Sequence, residues 1–150
     1  MKILLIISGS IAAYKTLDLI RKIKEYNHNL VCVLTKKASD FITKTSVMAL
    51  SNGMVYTDDN VDSVMKHIDI SRDVDLILIC PATADFIAKM AIGLADDLAS
   101  TSIIASSVKK IVVPAMNSEM WNSNPVKRNI KTLKEDNIYT TITIQEGNYS

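Results

Sequence analysis

Lys2-Ile3-Leu4-Leu5-Ile6-Ile7-Ser8-Gly9-Ser10-Ile11-Ala12-Ala13-Tyr14-Lys15 decides the fold, because an unbroken apolar run passes through one glycine and a serine straight into a segment of helical period. The run has the makings of a buried first strand, short and rich in Ile and Leu. It also invites a signal-peptide reading, since Ser10-Ile11-Ala12-Ala13 loosely mimics a cleavage site. Ile3 to Ile7 is only five residues, below the ~7 to 15 of a secretory core, so the strand is the better reading. No stretch approaches the ~20 apolar residues that span a bilayer.

Working outward, the same alternation repeats. Strands are expected at Lys2 to Ser8, Leu30 to Leu34, Leu76 to Cys80, Lys110 to Val113 and Tyr139 to Ile144. Between the first two, Ala13, Leu17, Ile20 and Ile23 make one apolar helix face, and Val126, Ile130 and Leu133 repeat the pattern later. Buried strands alternating with helices predict a doubly wound α/β fold, Rossmann-like or flavodoxin-like, with a mainly parallel sheet in three layers. Phe86 to Ser107 is helical in period but rich in small residues. Gly93 is expected to break it into two helices, the second opening at Asp96-Asp97. Its small faces suit either a subunit interface or ordinary helix-on-sheet packing. The loosest region is about Ser51 to Asp62, with Asn52-Gly53 and Asp58-Asp59-Asn60 as turn chemistry.

Composition narrows the function. The chain has 150 residues, 48% hydrophobic and 22% charged, which matches one domain. Seventeen basic and sixteen acidic residues give a formal charge of +1, too little for the basic field that nucleic acid or anionic lipid requires. A small molecule or another protein is the expected partner. Cys32 and Cys80 sit inside apolar runs and read as reduced core residues. His28 and His67, the only histidines, have no metal-ligand spacing to either cysteine, so no metal site is expected.

Ligands of open α/β sheets bind beyond the carboxyl ends of the strands. The first strand ends in Gly9-Ser10 and a helix, a place where backbone N–H groups, the Ser10 hydroxyl and the helix dipole would hold a phosphate. The second and third glycines of a dinucleotide fingerprint are missing, which argues for a mononucleotide or a plain tight turn. Thr35-Lys36-Lys37-Ala38-Ser39 follows the second strand and reads alone as a cap. Pro81-Ala82-Thr83-Ala84-Asp85 and Pro114-Ala115-Met116-Asn117 follow two others. Proline is expected to take the chain off the sheet there, and the alanines to let backbone lie against a flat ligand.

Together these motifs resemble the homo-oligomeric flavin-containing cysteine decarboxylases, and within them the phosphopantothenoylcysteine decarboxylase domain of coenzyme A biosynthesis. The matching stretches are Ser8 to Lys15, His67-Ile68 with Asp75, Pro81 to Asp85 with Lys89, Gly93 and Asp96-Asp97-Leu98, and Pro114 to Trp121. The last fits the family's P-x-M-N-x-x-M-W signature at every fixed position. The resemblance implies FMN as cofactor, with Gly9, Ser10, Ile11 and Thr35 on its phosphate and ribityl chain, and Thr83, Ala84, Asp85, Phe86 and Ala115 bordering the flavin. It implies His67 as catalytic base and Asn117 as the grip on the substrate carboxylate beside Met120. It further implies a cytoplasmic homotrimer or homododecamer converting 4'-phosphopantothenoylcysteine to 4'-phosphopantetheine, served by a separate phosphopantothenate-cysteine ligase.

Family members of the coenzyme A branch carry an A-C-G flap beyond the last strand. This sequence reaches Gly147-Asn148-Tyr149-Ser150 about where that flap should begin, so the expectation is one FMN-binding domain over 1–150 with the substrate flap missing. Two other readings share the motifs: a peptidyl-cysteine decarboxylase of lantibiotic maturation, and a non-catalytic FMN-binding regulatory subunit. Flavin prenyltransferases share the fold but match less well around His67 and Asn117.

Overall fold

The computed structural model describes residues 1–60, 66–141 and 144–145, the side chains of 60, 66–68, 144 and 145 excepted. Among the described residues seven strands, β1 (Lys2–Ile7), β2 (Asn29–Leu34), β3 (Met54–Tyr56), β4 (Leu76–Ala82), β5 (Lys109–Met116), β6 (Tyr139–Thr140) and β7 (Ile144–Gln145), form a sheet ordered 3-2-1-4-5-6, with β7 also pairing β5. Every pairing is parallel. Around it run α1 (Ala13–Glu25), α2 (Lys44–Ser51), α3 (Lys66–Ser71), α4 (Ala84–Ile92), α5 (Leu98–Ile104), α6 (Ser118–Trp121) and α7 (Asn124–Glu135). This is the doubly wound arrangement that the alternation predicted.

The opening stretch shows why. Along β1 successive side chains leave opposite faces. Leu4 and Ile6 join the cluster under α3, α4, α5 and α7, whereas Ile3, Leu5 and Ile7 join the cluster under α1 and α2. All five are buried, each contributing roughly 1.5–3 kcal/mol by leaving water. A strand apolar on both faces has no solvent side, which is why the run is continuous. In α1 the buried residues are Ala13, Thr16, Ile20 and Ile23, with Leu17 packed partly against them. Val126, Ile130 and Leu133 are buried in α7 as expected.

Gly93 ends α4 in the left-handed region (φ 75°), and Asp97 caps α5 by accepting from the Ser100 amide at 2.7 Å. Both were legible in the sequence. Both cysteines are buried and free; burial pushes the Cys32 thiol up to about 12 and the Cys80 thiol up to about 11. They are core residues.

Two expectations are corrected. Pro81 and Pro114 do not take the chain off the sheet: β4 runs on to Ala82 and β5 to Met116. Ile79 pairs with Val112 and Ala82 with Pro114, so two residues of β4 face one of β5, a bulge at which the missing proline N–H interrupts no regular ladder. The region 51–62, read as loose, contains β3, which pairs with β2 at Val31–Met54, Cys32–Val55 and Val33–Tyr56. Three residues are too few to show a period. The fifth expected strand appears as β6 and β7, with residues 142–143 between them outside the described residues. Among the described residues no helix is long and apolar enough to cross a membrane.

Candidate functional site

β1 lies between β2 and β4, so the helices following β1 and β4 cover opposite faces and the chain leaves a crevice above those two strand ends. A cavity of about 500 Å³ occupies this place. It is lined by Ser8, Gly9 and Ser10 after β1, Thr35, Lys36 and Lys37 after β2, and Thr83 to Phe86 with Lys89 on α4. Asp58, Asp96, Asp97, Ala115, Met116 and Met120 complete it.

Hydrogen bonds make the rim rigid. The Ser8 hydroxyl donates to the Pro81 carbonyl at 2.6 Å and accepts from the Thr83 amide at 3.1 Å, tying the end of β1 to the start of α4. Thr83 Oγ1 accepts from the Phe86 amide at 3.1 Å and so caps α4. Ser10 Oγ accepts from the Ala12 amide at 3.0 Å, and Thr35 Oγ1 from the Ala38 amide at 3.3 Å. The serine and threonine oxygens expected to meet a ligand therefore also shape the turns that present the backbone to it.

Gly9 is needed for close approach. A Cβ there would collide with Lys37 Cβ and stand 2.7 Å from the Lys37 carbonyl carbon. The turn after β1 thus lies directly on the turn after β2. Gly9→Ala must push the two apart, at a cost of about 1–3 kcal/mol typical of overpacking. We expect this variant to melt lower and to lose ligand from the cavity, readable by thermal unfolding with and without the ligand.

One wall is acidic. Lys89 lies 3.5 Å from Asp96 and 3.9 Å from Asp85. Burial acts to lower the Lys89 pKa, but Asp96, Asp97 and Asp85 together outweigh it and hold the ammonium above its ordinary value. Asp58 Oδ1 accepts from the Leu98 amide at 2.9 Å, joining the turn after β3 to the start of α5. The sequence marks Asp58 only as turn chemistry; its link to Leu98, 40 residues away, has no local signal.

Of the residues expected at the cofactor, Gly9, Ser10, Thr35, Thr83, Ala84, Asp85, Phe86 and Ala115 line the cavity, as does Met120. Ile11 does not; it is 58% exposed. Asn117 is the N-cap of α6, its Oδ1 accepting from the Met120 amide at 2.9 Å, and it stands just beyond the lining residues Ala115 and Met116. His67 falls in the short helix α3, and its side chain lies outside the described residues. Among the described residues no group of histidine, cysteine and carboxylate side chains would hold a metal ion.

The chain is similar to known proteins over most of its length. It is 44% identical over 135 residues to the coenzyme A biosynthesis bifunctional protein CoaBC of Vibrio vulnificus (strain YJ016), covering 88% of this chain and 34% of that protein. With the protein of the same description from Bacillus subtilis (strain 168) it shares 39% over 148 residues, 97% of this chain and 36% of the relative. It therefore spans about a third of the length of these relatives. Among solved structures, a PPC decarboxylase mutant complexed with pantothenoylaminoethenethiol superposes with a TM-score of 0.84 at 31% identity, over 93% of this chain and 80% of that one. The FMN-dependent cysteine decarboxylase TvaF from thioviridamide biosynthesis gives 0.89 at 26% identity, over 94% and 89%. The family described as Flavoprotein matches residues 1–147, and with the cavity standing where a doubly wound sheet holds a nucleotide, the chain belongs to that family.

Proposed function

We propose that residues 1–150 act as one FMN-binding domain that decarboxylates the cysteine moiety of 4'-phosphopantothenoylcysteine, giving 4'-phosphopantetheine for coenzyme A biosynthesis. The observation that carries this reading is the convergence of Ser8 to Ser10, Thr83 to Phe86 and Ala115-Met116 on one cavity. The sequence likeness to CoaBC supports the choice of substrate.

The lining fits the cofactor. Its volume is within the ~300–1,000 Å³ of small-molecule sites. Around Gly9 two turns touch, with Ser10, Thr35, Lys36 and Lys37 offering hydroxyls, amides and positive charge to a phosphate. Ala84 and Ala115, with short side chains, leave room for a flat ring. When bound, FMN would supply the electron sink that a cysteine carboxylate lacks, taking up hydride from the carbon bearing sulfur and returning it after CO₂ has left, so that the overall conversion to the saturated thiol is redox-neutral.

The chain's own residues do the rest. His67 takes the substrate's thiol proton as hydride leaves the neighbouring carbon, acting as a general base. Asn117 presents its amide N–H groups to the substrate carboxylate, because its oxygen already caps α6. Met120, 43% exposed at the cavity, packs beside the same substrate. Ile11, with its side chain exposed, would meet the cofactor through its backbone in the turn between Ser10 and α1.

The assembly we propose is a trimer or dodecamer with FMN at subunit boundaries. Ile92 and Leu94 at the α4–α5 turn and Ile104 at the far end of α5 are 74%, 40% and 54% exposed, and such side chains suit an interface. Sedimentation of the FMN-loaded protein checks this, a stable monomer being the contrary result. We place the protein in the cytoplasm, beside a phosphopantothenate-cysteine ligase that supplies its substrate.

A peptidyl-cysteine substrate is the second reading, supported by the likeness to the peptidyl-cysteine decarboxylase EpiD, whose structure superposes with a TM-score of 0.85 at 27% identity. The two are separated by offering 4'-phosphopantothenoylcysteine and a peptide ending in cysteine side by side. The first reading expects turnover of the pantothenoyl compound and little of the peptide; the reverse order overturns it.

A further inference from the structure

Lys89 has no part in the roles assigned above, yet it lines the cavity at the centre of the acidic wall. The wall carries Asp85 on α4, Asp96 and Asp97 in the turn to α5, and Asp58 from the turn after β3. The other lining lysines, Lys36 and Lys37, follow β2, on the far side of β1 from α4. Both ends of Lys89 hold the turn: its ammonium lies 3.5 Å from Asp96 and 3.9 Å from Asp85, and its carbonyl accepts from the Leu94 amide at 2.9 Å. The Lys89 side chain is only 25% exposed, whereas Asp85 and Asp96 are 67% and 47% exposed. Pairs this open to water add little to global stability. Their consequence lies in where the carboxylates sit and in the charge that the cavity presents.

We propose that Lys89 is a positioning residue of the flavin site, drawing Asp85 and Asp96 together so that the acidic wall neither swings inward nor repels an anionic ligand. The inference rests on the flavin reading above. Without the ammonium, four carboxylates line that wall, and in a partly enclosed cavity their repulsion of a phosphate-bearing ligand is stronger than in open water. The raised Lys89 pKa agrees with an ammonium held by its neighbours.

The test is release of FMN from the purified flavoprotein, followed by recovery of flavin fluorescence on dilution at low and high salt. Lys89→Met is expected to raise the FMN Kd by about tenfold or more at low salt. Salt should narrow the gap by screening. Lys89→Arg, and Lys89→Met combined with Asp96→Asn, should stay within about threefold of the parent, one restoring the ammonium's role and the other removing the charge it balances. Melting temperatures should barely differ. Unchanged release from Lys89→Met overturns the proposal, as does equal weakening in all three variants, which would mean that the lysine stem matters only by packing. A parent protein that holds no flavin defeats the flavin reading itself.

Discussion

His67→Asn is expected to leave FMN bound and to cut decarboxylation by about 10²- to 10⁴-fold, the range that a lost general base costs. The residue sits in α3, whose Ile70 packs into the core with Leu98 and Ile103 of α5. That anchoring does not depend on position 67, so the helix should survive the exchange. The cavity residues assigned to the cofactor come from the ends of β1, β2, β4 and β5 and owe nothing to α3. Flavin content measured beside turnover therefore separates the base from a cofactor ligand. Loss of flavin, or undiminished turnover, contradicts the assignment.

Asn117→Asp should stop turnover as thoroughly, by at least about 10²-fold, because a carboxylate would face the substrate's own carboxylate and two N–H donors would be lost. The structure gives this variant a clean control. Asn117 caps α6 through its oxygen, and aspartate is an equally good cap, so folding and FMN binding should be kept. Asn117→Ala removes the cap as well, at a cost of about 0.5–2 kcal/mol, and is the poorer probe. Isothermal titration with substrate alongside turnover checks the claim. Wild-type affinity in the aspartate variant would mean that the amide does not hold the carboxylate.

Much of the fold was legible because each strong local signal agreed with the global one. Ile3 to Ile7 is apolar at every position, a pattern that suits a strand covered on both faces. Gly93 and Asp97 carry their helix-ending and helix-starting chemistry in their own side chains, so they could be read without any neighbour. What escaped depended on pairing across distance. Met54-Val55-Tyr56 is a strand only because β2 lies beside it. Pro81 and Pro114 stay in the sheet because two residues of β4 bulge against one of β5, and no proline rule contains that register.

The site divides in the same way. The turns after β1, β4 and β5 stood out by residue type, and they meet at the cavity. The bonds that hold them together did not stand out. Ser8 links to Pro81 and Thr83, and Asp58 to Leu98, across separations of 73, 75 and 40 residues. Gly9 reads from the sequence as a phosphate turn, while the structure adds that its missing side chain admits Lys37. Lys89 was visible only as a matching letter until its carboxylate partners were placed around it.

The central claim, that this cavity decarboxylates a cysteine end with the help of FMN, is tested most directly by an anaerobic single turnover of the flavin-loaded 150-residue chain with 4'-phosphopantothenoylcysteine, the product identified by mass. Cys32 and Cys80, the only cysteines in the sequence, are buried and are not among the residues that line the cavity, so the thiol followed in this test is the substrate's own. The account predicts release of CO₂ in step with flavin content, and a decarboxylated thiol as the product. Recovery of unchanged substrate from protein that carries its full complement of FMN would contradict it.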